Sequence, residues 1–233
     1  RGGGRKRSLI IASVLYTVSA AGCAISNSFA TLVLFRIVGG VGIGISAVVA
    51  PAYISEIAPA KHRGRLVSLY QLAVTIGFLA AYIVNYFLLE YSLGATSCRD
   101  NLFTKIFIDE CWRGMLFAET LPAALFIVLV FFIPESPVWL SMRGREKQSL
   151  RTELKVISRP PILGAVLIGA AIAILGQFMG VNAVLYYGPS IFEKSGLASG
   201  DSLFYQVLVG LVNVVTTIIA FFIIDRVGRK KLV

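Results

Sequence analysis

Uncharged polar side chains interrupt an otherwise apolar stretch, GQFMGVNAVLYYGP, at residues 176–189. Asn182 and Tyr186 stand one helical turn apart and share a face, whereas Gln177 lies roughly 140° away on a straight helix, unless Gly180 bends the chain. A carboxamide donates and accepts hydrogen bonds without carrying a charge, so these residues could bind the hydroxyl groups of a solute. Taken singly, however, an amide in an apolar helix more often joins neighbouring helices.

Ionisable side chains are scarce within the apolar segments, and only Arg36 and Glu119 fall well inside them. A charge near the centre of a bilayer costs about 3 kcal/mol on insertion scales. Both residues are expected roughly 8 Å below the same end of their helices, at about 1.5 Å rise per residue. They are predicted to pair or to face a water-filled cavity, while an Arg36 that snorkels to the headgroups is the simpler alternative. Two further amides, Gln71 and Asn213, lie at intermediate depth in other apolar segments.

The elements that carry these residues are predicted to be membrane-spanning helices. Of the 233 residues, 57% are hydrophobic and 15% are charged, and the mean hydropathy is +0.80, which is the profile of a membrane protein. A hydrocarbon core of roughly 30 Å needs about 20 apolar residues in a helix. Six runs approach that length: Leu9–Ile25, Leu32–Ile54, Leu66–Leu89, Met115–Ile133, Ile162–Tyr187 and Leu203–Ile224.

The distribution of the 22 lysines and arginines predicts the orientation of the chain. Most of them lie in four segments: RGGGRKR at the start, KHRGR at 61–65, residues 138–161, and RVGRKK at 226–231. The positive-inside rule places these segments, and hence both ends of the chain, in the cytoplasm. The net charge of +10 therefore reflects topology. Nucleic-acid binding is not expected, because the chain lacks a soluble basic face.

Small residues predict local packing. Gly40 and Gly44, within GGVGIGIS, have the spacing that lets two membrane helices approach closely, and no strand–turn–helix context supports a phosphate-binding loop instead. Cys23 is expected to pack as a small hydrophobic residue. Cys98 and Cys111 fall in one predicted outer loop, where their spacing is equally compatible with a disulfide and with two free thiols.

Six motifs make the chain resemble the sugar porters of the major facilitator superfamily. They occur in the family's order: LFRIVGGVGIG in the second predicted span, SEIAPAKHRG at 55–64, WRGMLFAE at 112–119, PESP at 134–137, GQFMGVNAVLYYGP in the fifth span, and DRVGRK at 225–230. The resemblance implies an all-α membrane protein with the major facilitator fold, in which these six spans correspond to helices three to eight of an expected twelve. Residues 1–137 then belong to the N-terminal helical half, 138–161 to a shortened cytoplasmic linker, and 162–233 to the C-terminal half. Both ends are expected to continue in a longer protein.

The resemblance also implies roles for individual residues. Positions that match the family's sugar-binding amides, together with tyrosines expected near the outer side of the site, hold Gln71, Gln177, Asn182, Asn213, Tyr186 and Tyr187. Positions that match signature charges, expected to form a cytoplasmic gate, hold Glu56, Arg63, Glu135, Asp225, Arg226, Arg229 and Lys230. Arg113 also matches a signature charge but lies at the outer end of its helix, so it is not expected in the gate. The chain departs from the family's pattern at Gly176, which replaces a glutamine, at Val138, which replaces a basic residue, and in its shorter linker.

The function implied by the resemblance is secondary transport of a monosaccharide, hexose or pentose, by alternating access. In proton-coupled relatives the key acid lies in helix one, so Arg36 and Glu119 are coupling candidates that do not decide between proton symport and facilitated diffusion. A transporter-like sugar sensor and a polyol or inositol transporter are the alternatives. An enzyme is not expected, because His62 is the only histidine and no nucleophile–base or metal-ligand cluster accompanies it. The sequence thus predicts a multi-pass protein of the plasma or cell membrane whose partners are a sugar, lipid and, if coupled, protons, with no cofactor and no metal.

Overall fold

The computed structural model describes residues 4–59, 62–94, 110–142 and 180–227, together with helical positions 164, 167–169, 171, 174–175 and 177–178. Within this part of the chain the regular structure is helical. In chain order the helices are α1 (Arg5–Ile25), α2 (Phe29–Ile57), α3 (Arg63–Gly94), α4 (Cys111–Ala118), α5 (Thr120–Phe132), α6 (Pro137–Met142), α7 (Val181–Lys194) and α8 (Ser199–Val227).

Five helical segments of the described residues are long and apolar enough to cross a membrane. They are Arg5–Ile25, Phe29–Ile57, Arg63–Gly94, Cys111–Phe132 and Gly200–Ile223. Each overlaps one predicted span almost completely, because the apolar runs from which the spans were predicted are the same residues that form the helices. The remaining predicted span, Ile162–Tyr187, is described only in part, and α7 covers its end.

α3 connects two groups of helices. In the first group, α1 packs against α2, α4 and α5, and α6 contacts α2. In the second group, α7 packs against α8. α3 contacts α2 and α4 of the first group and also packs extensively on α8 of the second. Among the described residues, α3 therefore provides the main contact between the first group and the second.

A short turn joins α1 to α2, and its polar groups are satisfied locally. Ser28 Oγ accepts a hydrogen bond from the backbone N–H of Thr31 at 3.3 Å, and the Thr31 hydroxyl accepts one from the backbone N–H of Ser28 at 3.4 Å. This reciprocal arrangement is a capping box. Ser26 Oγ donates to the carbonyl of Cys23 at 2.8 Å. The turn therefore supplies partners for groups that the two helix ends would otherwise leave unpaired.

Two glycines of α2 bring it into close contact with α1. A Cβ atom at Gly39 would overlap the hydroxyl of Ser19, and one at Gly42 would lie 3.3 Å from the backbone oxygen of Ala12. Ser19 occupies the space above Gly39 and donates a 2.7 Å hydrogen bond to the carbonyl of Phe35. The absence of side chains at these glycines thus allows both close helix packing and a hydrogen bond between helices.

The close helix contact predicted for Gly40 and Gly44 is not seen in the described part of the chain and stays a prediction. Among the described residues, no atom from outside the local helix lies within 4 Å of a Cβ built at either position. Successive residues of an α-helix are about 100° apart around its axis, so glycines one position away face a different direction. The motif indicated that α2 has a small-residue face, but its spacing did not say which glycines face α1.

The fourth predicted span is divided at Glu119. α4 ends at Ala118 and α5 begins at Thr120, with Glu119 in the turn between them. Pro122 lies four residues after Ala118, so it has no N–H for the Ala118 carbonyl, and its ring crowds that oxygen. The consequence is that the helical hydrogen bonding is interrupted beside Glu119, whose own backbone keeps helical angles of φ −61° and ψ −24°.

The cysteines of the described residues are free thiols. Cys23 is buried between α1 and α2, with its Sγ 3.9 Å from the carbonyl oxygen of Leu32, which confirms its predicted packing role. Cys111 Sγ lies 3.4 Å from the carbonyl oxygen of Leu88 in α3. Cys98 lies outside the described residues.

Candidate functional site

The amides of the fifth predicted span lie at the start of α7 and contact each other. Gly180 has a positive φ of 74° and caps α7 in the left-handed conformation, which glycine adopts without steric cost. Gln177 and Asn182 therefore do not keep their straight-helix separation, and Asn182 Nδ2 donates to Gln177 Oε1 at 2.7 Å. Both side chains are exposed. The pair retains donors and acceptors that face away from the protein interior.

Tyr186 connects this amide pair to α3. It lies one turn after Asn182, and its ring meets Phe78 of α3 edge to face, with centroids 6.2 Å apart. Tyr186 and Tyr187 are each 66% exposed. The structure thus brings Gln177, Asn182 and Tyr186 together along one stretch of backbone, at a place where α7 approaches α3.

Gln71 and Asn213, the other predicted amides, are placed on the helices that flank α7. Gln71 is exposed on α3, seven positions before Phe78, and Asn213 is half-buried on α8. The hydrogen bonds of the described residues do not join either side chain to the Gln177–Asn182 pair. Direct contact is therefore seen for two of the predicted amides, and the role of Gln71 and Asn213 stays a prediction.

Arg36 and Glu119 lie at ion-pair distance across two helical segments. Arg36 Nη1, in α2, is 3.9 Å from Glu119 Oε2, at the junction of α4 and α5. The two side chains are 52% and 51% exposed. The distance is long for a hydrogen-bonded pair, so each charge remains available to other groups.

A second charged cluster joins the start of α1, the end of α2 and the segment after α5. Glu56 Oε1 accepts hydrogen bonds from Arg5 Nη2 at 2.9 Å and Nε at 3.2 Å, while Glu56 Oε2 accepts one from Ser136 Oγ at 2.5 Å. Glu135 Oε1 accepts from the backbone N–H of Lys6 at 3.0 Å and from that of Ser136 at 3.3 Å. We refer to Arg5, Lys6, Glu56, Glu135 and Ser136 as the carboxylate cluster.

Sequence reasoning found the two acids of the carboxylate cluster but missed its other members. Arg5 was not predicted, because the first basic segment offers three neighbouring cations and no means of choosing among them. Ser136 was missed although it lies inside the PESP motif, and it is completely buried. Tyr53 was also missed; its hydroxyl donates to the carbonyl of Pro134 at 2.7 Å and anchors the motif on α2.

The other predicted gate residues are not seen in contact with this cluster. Arg63 is exposed at the start of α3. Asp225 and Arg226 lie in the last turn of α8, and their side chains are outside the described part of the chain. Arg229 and Lys230 are outside it entirely. A bridge between the carboxylate cluster and the end of α8 therefore stays a prediction.

Arg113 lies at the other end of α1 from the carboxylate cluster. Its guanidinium donates to Asn27 Oδ1 at 3.3 Å and 3.4 Å and to the carbonyl of Ala24 at 3.4 Å. Arg113 Nε is 2.5 Å from Glu110 Oε2, although this approach is out of line for a hydrogen bond. Its position agrees with the expectation that Arg113 has no part in the gate.

Metal binding finds no support in the described residues, where no three histidine, cysteine, aspartate or glutamate side chains come together as ligands.

The chain matches the family model for "Sugar (and other) transporter" over residues 3–160 and 152–233. Among curated proteins, it is 35% identical to the glucose transporter GlcP of Staphylococcus epidermidis, covering 98% of the chain and 53% of that protein. It is 31% identical to the D-xylose-proton symporter of Escherichia coli K12 and 33% identical to the arabinose-proton symporter of Bacillus subtilis, again covering 98% of the chain and 53% of each relative. The chain thus spans about half the length of these relatives.

Solved structures of a sugar transporter also match the fold of this chain. The xylose transporter XylE of E. coli in a partially occluded inward-open conformation matches with a TM-score of 0.73 at 32% identity, over 98% of this chain and 57% of that one. The proton:xylose symporter XylE bound to 6-bromo-6-deoxy-D-glucose, described as a major facilitator superfamily protein, matches with a TM-score of 0.77 at 32% identity, over 98% and 55%.

Proposed function

The chain belongs to the sugar (and other) transporter family, and from this premise we propose that the protein is a secondary transporter that moves a monosaccharide across a membrane by alternating access. It is a multi-pass integral membrane protein with the major facilitator fold. The observation that carries the proposal is similarity along 98% of the chain to proteins named for sugar transport. Its activity is transport and not catalysis.

The sugar site is built around Gln177 and Asn182, with Gln71, Asn213 and Tyr186 as further contacts. The 2.7 Å bond between the two amides supports this assignment, because it orients both groups while leaving each with further bonding capacity. A sugar hydroxyl that donates to one amide and accepts from the other would replace that bond without leaving an amide unpaired. Tyr186, which contacts α3, closes the site at its outer side.

Substitution of the amides tests the site. In the full-length protein reconstituted into liposomes, Gln177→Ala and Asn182→Ala are each expected to weaken uptake of labelled xylose, arabinose, glucose or galactose by about tenfold, since one lost hydrogen bond of this kind is worth roughly 1 kcal/mol or somewhat more. The control is Ser190→Ala, which removes an exposed hydroxyl further along α7. Unchanged uptake in both amide variants would rule out the assignment.

The carboxylate cluster lies on the cytoplasmic side of the membrane in this proposal, and both ends of the chain are cytoplasmic. Residues 1–137 contribute to one half of the transporter, 138–161 to the linker and 162–233 to the other half. The basic segments support the orientation through the positive-inside rule. The cluster is the first half's contribution to the cytoplasmic gate, which Arg63 and the charges at the end of α8 complete: Asp225, Arg226, Arg229 and Lys230.

Transport is coupled to protons, with Arg36 and Glu119 at the coupling site. The family supports symport, since two of the relatives described above are named as proton symporters. Glu119 is a carboxylate within a membrane-spanning segment, and its Oε2 lies 3.9 Å from Arg36 Nη1. Uptake that is equal with and without a proton gradient would instead establish facilitated diffusion.

A double-mutant cycle tests the Arg36–Glu119 pair. Arg36→Leu and Glu119→Gln are each expected to lower the amount of folded protein about threefold, because each leaves a charge unpaired within the membrane, while the 3.9 Å separation and half exposure limit the loss. The double variant is expected to recover folded protein but not proton-driven uptake. Additive effects on both measurements would show that the two residues act independently.

A sugar sensor of the same fold would give different results in binding and uptake experiments. Such a protein would bind a monosaccharide, measured by calorimetry on the purified protein, yet show no uptake in liposomes. A polyol or inositol transporter would show uptake of labelled inositol in preference to the four sugars. The same preparation of full-length protein distinguishes these outcomes from monosaccharide transport.

A further inference from the structure

The carbonyl oxygen of Leu185 in α7 lacks its usual helical partner. Pro189 stands four residues further along, inside α7, and proline has no N–H to donate to this carbonyl. Leu185 is only 7% exposed. An unpaired backbone carbonyl is costly away from water, so a partner must come from elsewhere in the protein.

Two side chains from other helices donate to this carbonyl. Gln206 Nε2, in α8, lies 2.9 Å from the oxygen, and Tyr82 Oη, in α3, also lies 2.9 Å from it. Gln206 is 1% exposed. It fits between the helices because Gly188 has no side chain; a Cβ there would overlap Gln206 Oε1. The carbonyl that Pro189 leaves free is therefore bonded by side chains of both α3 and α8.

Tyr82 reaches this point through a close-fitting contact. A Cβ at Gly210 of α8 would lie 2.8 Å from Tyr82 Cδ2, so the ring rests against the glycine backbone. Phe78 stacks on Tyr82 within α3, with ring centroids 6.3 Å apart, and Tyr186 of α7 packs on Phe78 in turn. Packing on three helices thus positions the Tyr82 hydroxyl at the Leu185 carbonyl.

We propose that the hydrogen bond from Tyr82 to Leu185 is a latch that stabilises the state in which the outer sides of the two halves are closed. The proposal rests on the function proposed above, in which α3 belongs to one half and α7 and α8 to the other. When the halves separate at the outer side, Tyr82 moves away from Leu185. Gln206 moves together with Leu185, because both belong to the same half. A contact present in only one state shifts the equilibrium between states, and a contact kept in both does not.

Gln206 has a complementary role. Because it belongs to the same half as Leu185, it continues to bond the carbonyl after Tyr82 has left. Opening therefore costs one hydrogen bond and does not leave a backbone carbonyl without any donor. Tyr82 sets the balance between the two states, and Gln206 keeps the Leu185 carbonyl bonded in each.

Distances between spin labels on the full-length protein test the latch. After replacement of the native cysteines, labels attached through Tyr91→Cys in α3 and Ile191→Cys in α7, two side chains that are 54% and 49% exposed, report the separation of the halves. Tyr82→Phe removes only the hydroxyl and is expected to raise the ratio of open to closed protein about fivefold. The matched control is Tyr86→Phe, one turn further along α3, where the ring contacts Phe204 of α8; it is expected to leave the ratio unchanged.

A second variant tests the part played by the proline. Pro189→Ala restores a backbone N–H that can bond the Leu185 carbonyl within α7. In this background, Tyr82→Phe is expected to change the ratio by less than it does in the wild type. An undiminished change would contradict the argument that the proline creates the acceptor.

Equal ratios in the wild type and Tyr82→Phe, or equal changes in Tyr82→Phe and Tyr86→Phe, overturn the latch. The distance measurement needs no sugar, so it is independent of the uptake assay. If the wild type takes up sugar and Tyr82→Phe has no effect on the ratio, the latch alone is wrong. If the wild type populates one distance only and takes up none of the sugars, the proposed function fails, and the latch fails with it.

Discussion

Replacing Gly39 with leucine is expected to remove most of the folded protein from the membrane. The new side chain would have to occupy the position of the Ser19 hydroxyl, separate α1 from α2, and break the 2.7 Å hydrogen bond to the carbonyl of Phe35. Forcing a large side chain into a close-packed contact costs about 3 kcal/mol. The measurements are the amount of monodisperse protein extracted from membranes and the midpoint of its thermal aggregation.

Gly40→Leu is the matched control for this variant. It makes the same change one residue away, where a Cβ has nothing within 4 Å among the described residues, and it brings the same gain in helix propensity. We expect Gly40→Leu to accumulate close to the wild-type level. If the two variants accumulated equally, whether well or poorly, Gly39 would not be the residue that determines the α1–α2 contact.

Loss of either partner in the Glu56–Arg5 ion pair is expected to destabilise the protein by about 2 kcal/mol, since hydrogen bonds to charged groups each contribute about 1.5–3 kcal/mol and the partly exposed Arg5 regains some hydration. Glu56→Ala removes the acceptor of two bonds from Arg5 and one from Ser136. The Glu56 side chain is only 17% exposed, against 40% for Arg5, so Glu56→Ala is expected to have the larger effect. Thermal unfolding of the purified full-length protein measures both.

Arg7→Ala serves as the control for charge. It removes one positive charge from the same turn of α1, but the Arg7 side chain is exposed and is not a member of the carboxylate cluster. We expect its unfolding midpoint to match that of the wild type. A midpoint lowered as much as that of Arg5→Ala would mean that the stability comes from net charge at this end of α1 and not from the Glu56 ion pair.

Membership of the sugar porter family and the all-helical membrane fold were predicted correctly from the sequence. The spans could be predicted because a helix that crosses a bilayer must be a long apolar run, and such a run is visible without any knowledge of its neighbours. The residues that pack one helix against another were harder to predict from the sequence. The spacing indicated Gly40 and Gly44, whereas Gly39 and Gly42 are the glycines that contact α1, because a run of closely spaced small residues marks a helix face only to within one position.

The candidate site, too, could be predicted from the sequence only in part. Gly180 indicated a bend before α7, but the contact between Gln177 and Asn182 depends on the angle of that bend, which the sequence does not state. Gln206 was overlooked, although Pro189 gave a signal: a proline inside a membrane helix leaves a carbonyl that needs a donor. The identity of the donor could not be predicted, because it comes from another helix.

The turn between α1 and α2 has a consequence for the order in which the protein is made. The capping box at Ser28, the bond from Ser19 to Phe35 and the thiol contact of Cys23 all join residues of the first two helices. These three contacts therefore need no residue that is synthesised after Ile57. Arg113 is synthesised later. Its guanidinium donates hydrogen bonds to Asn27 and Ala24 and so stabilises an α1–α2 pair that can already have formed these contacts.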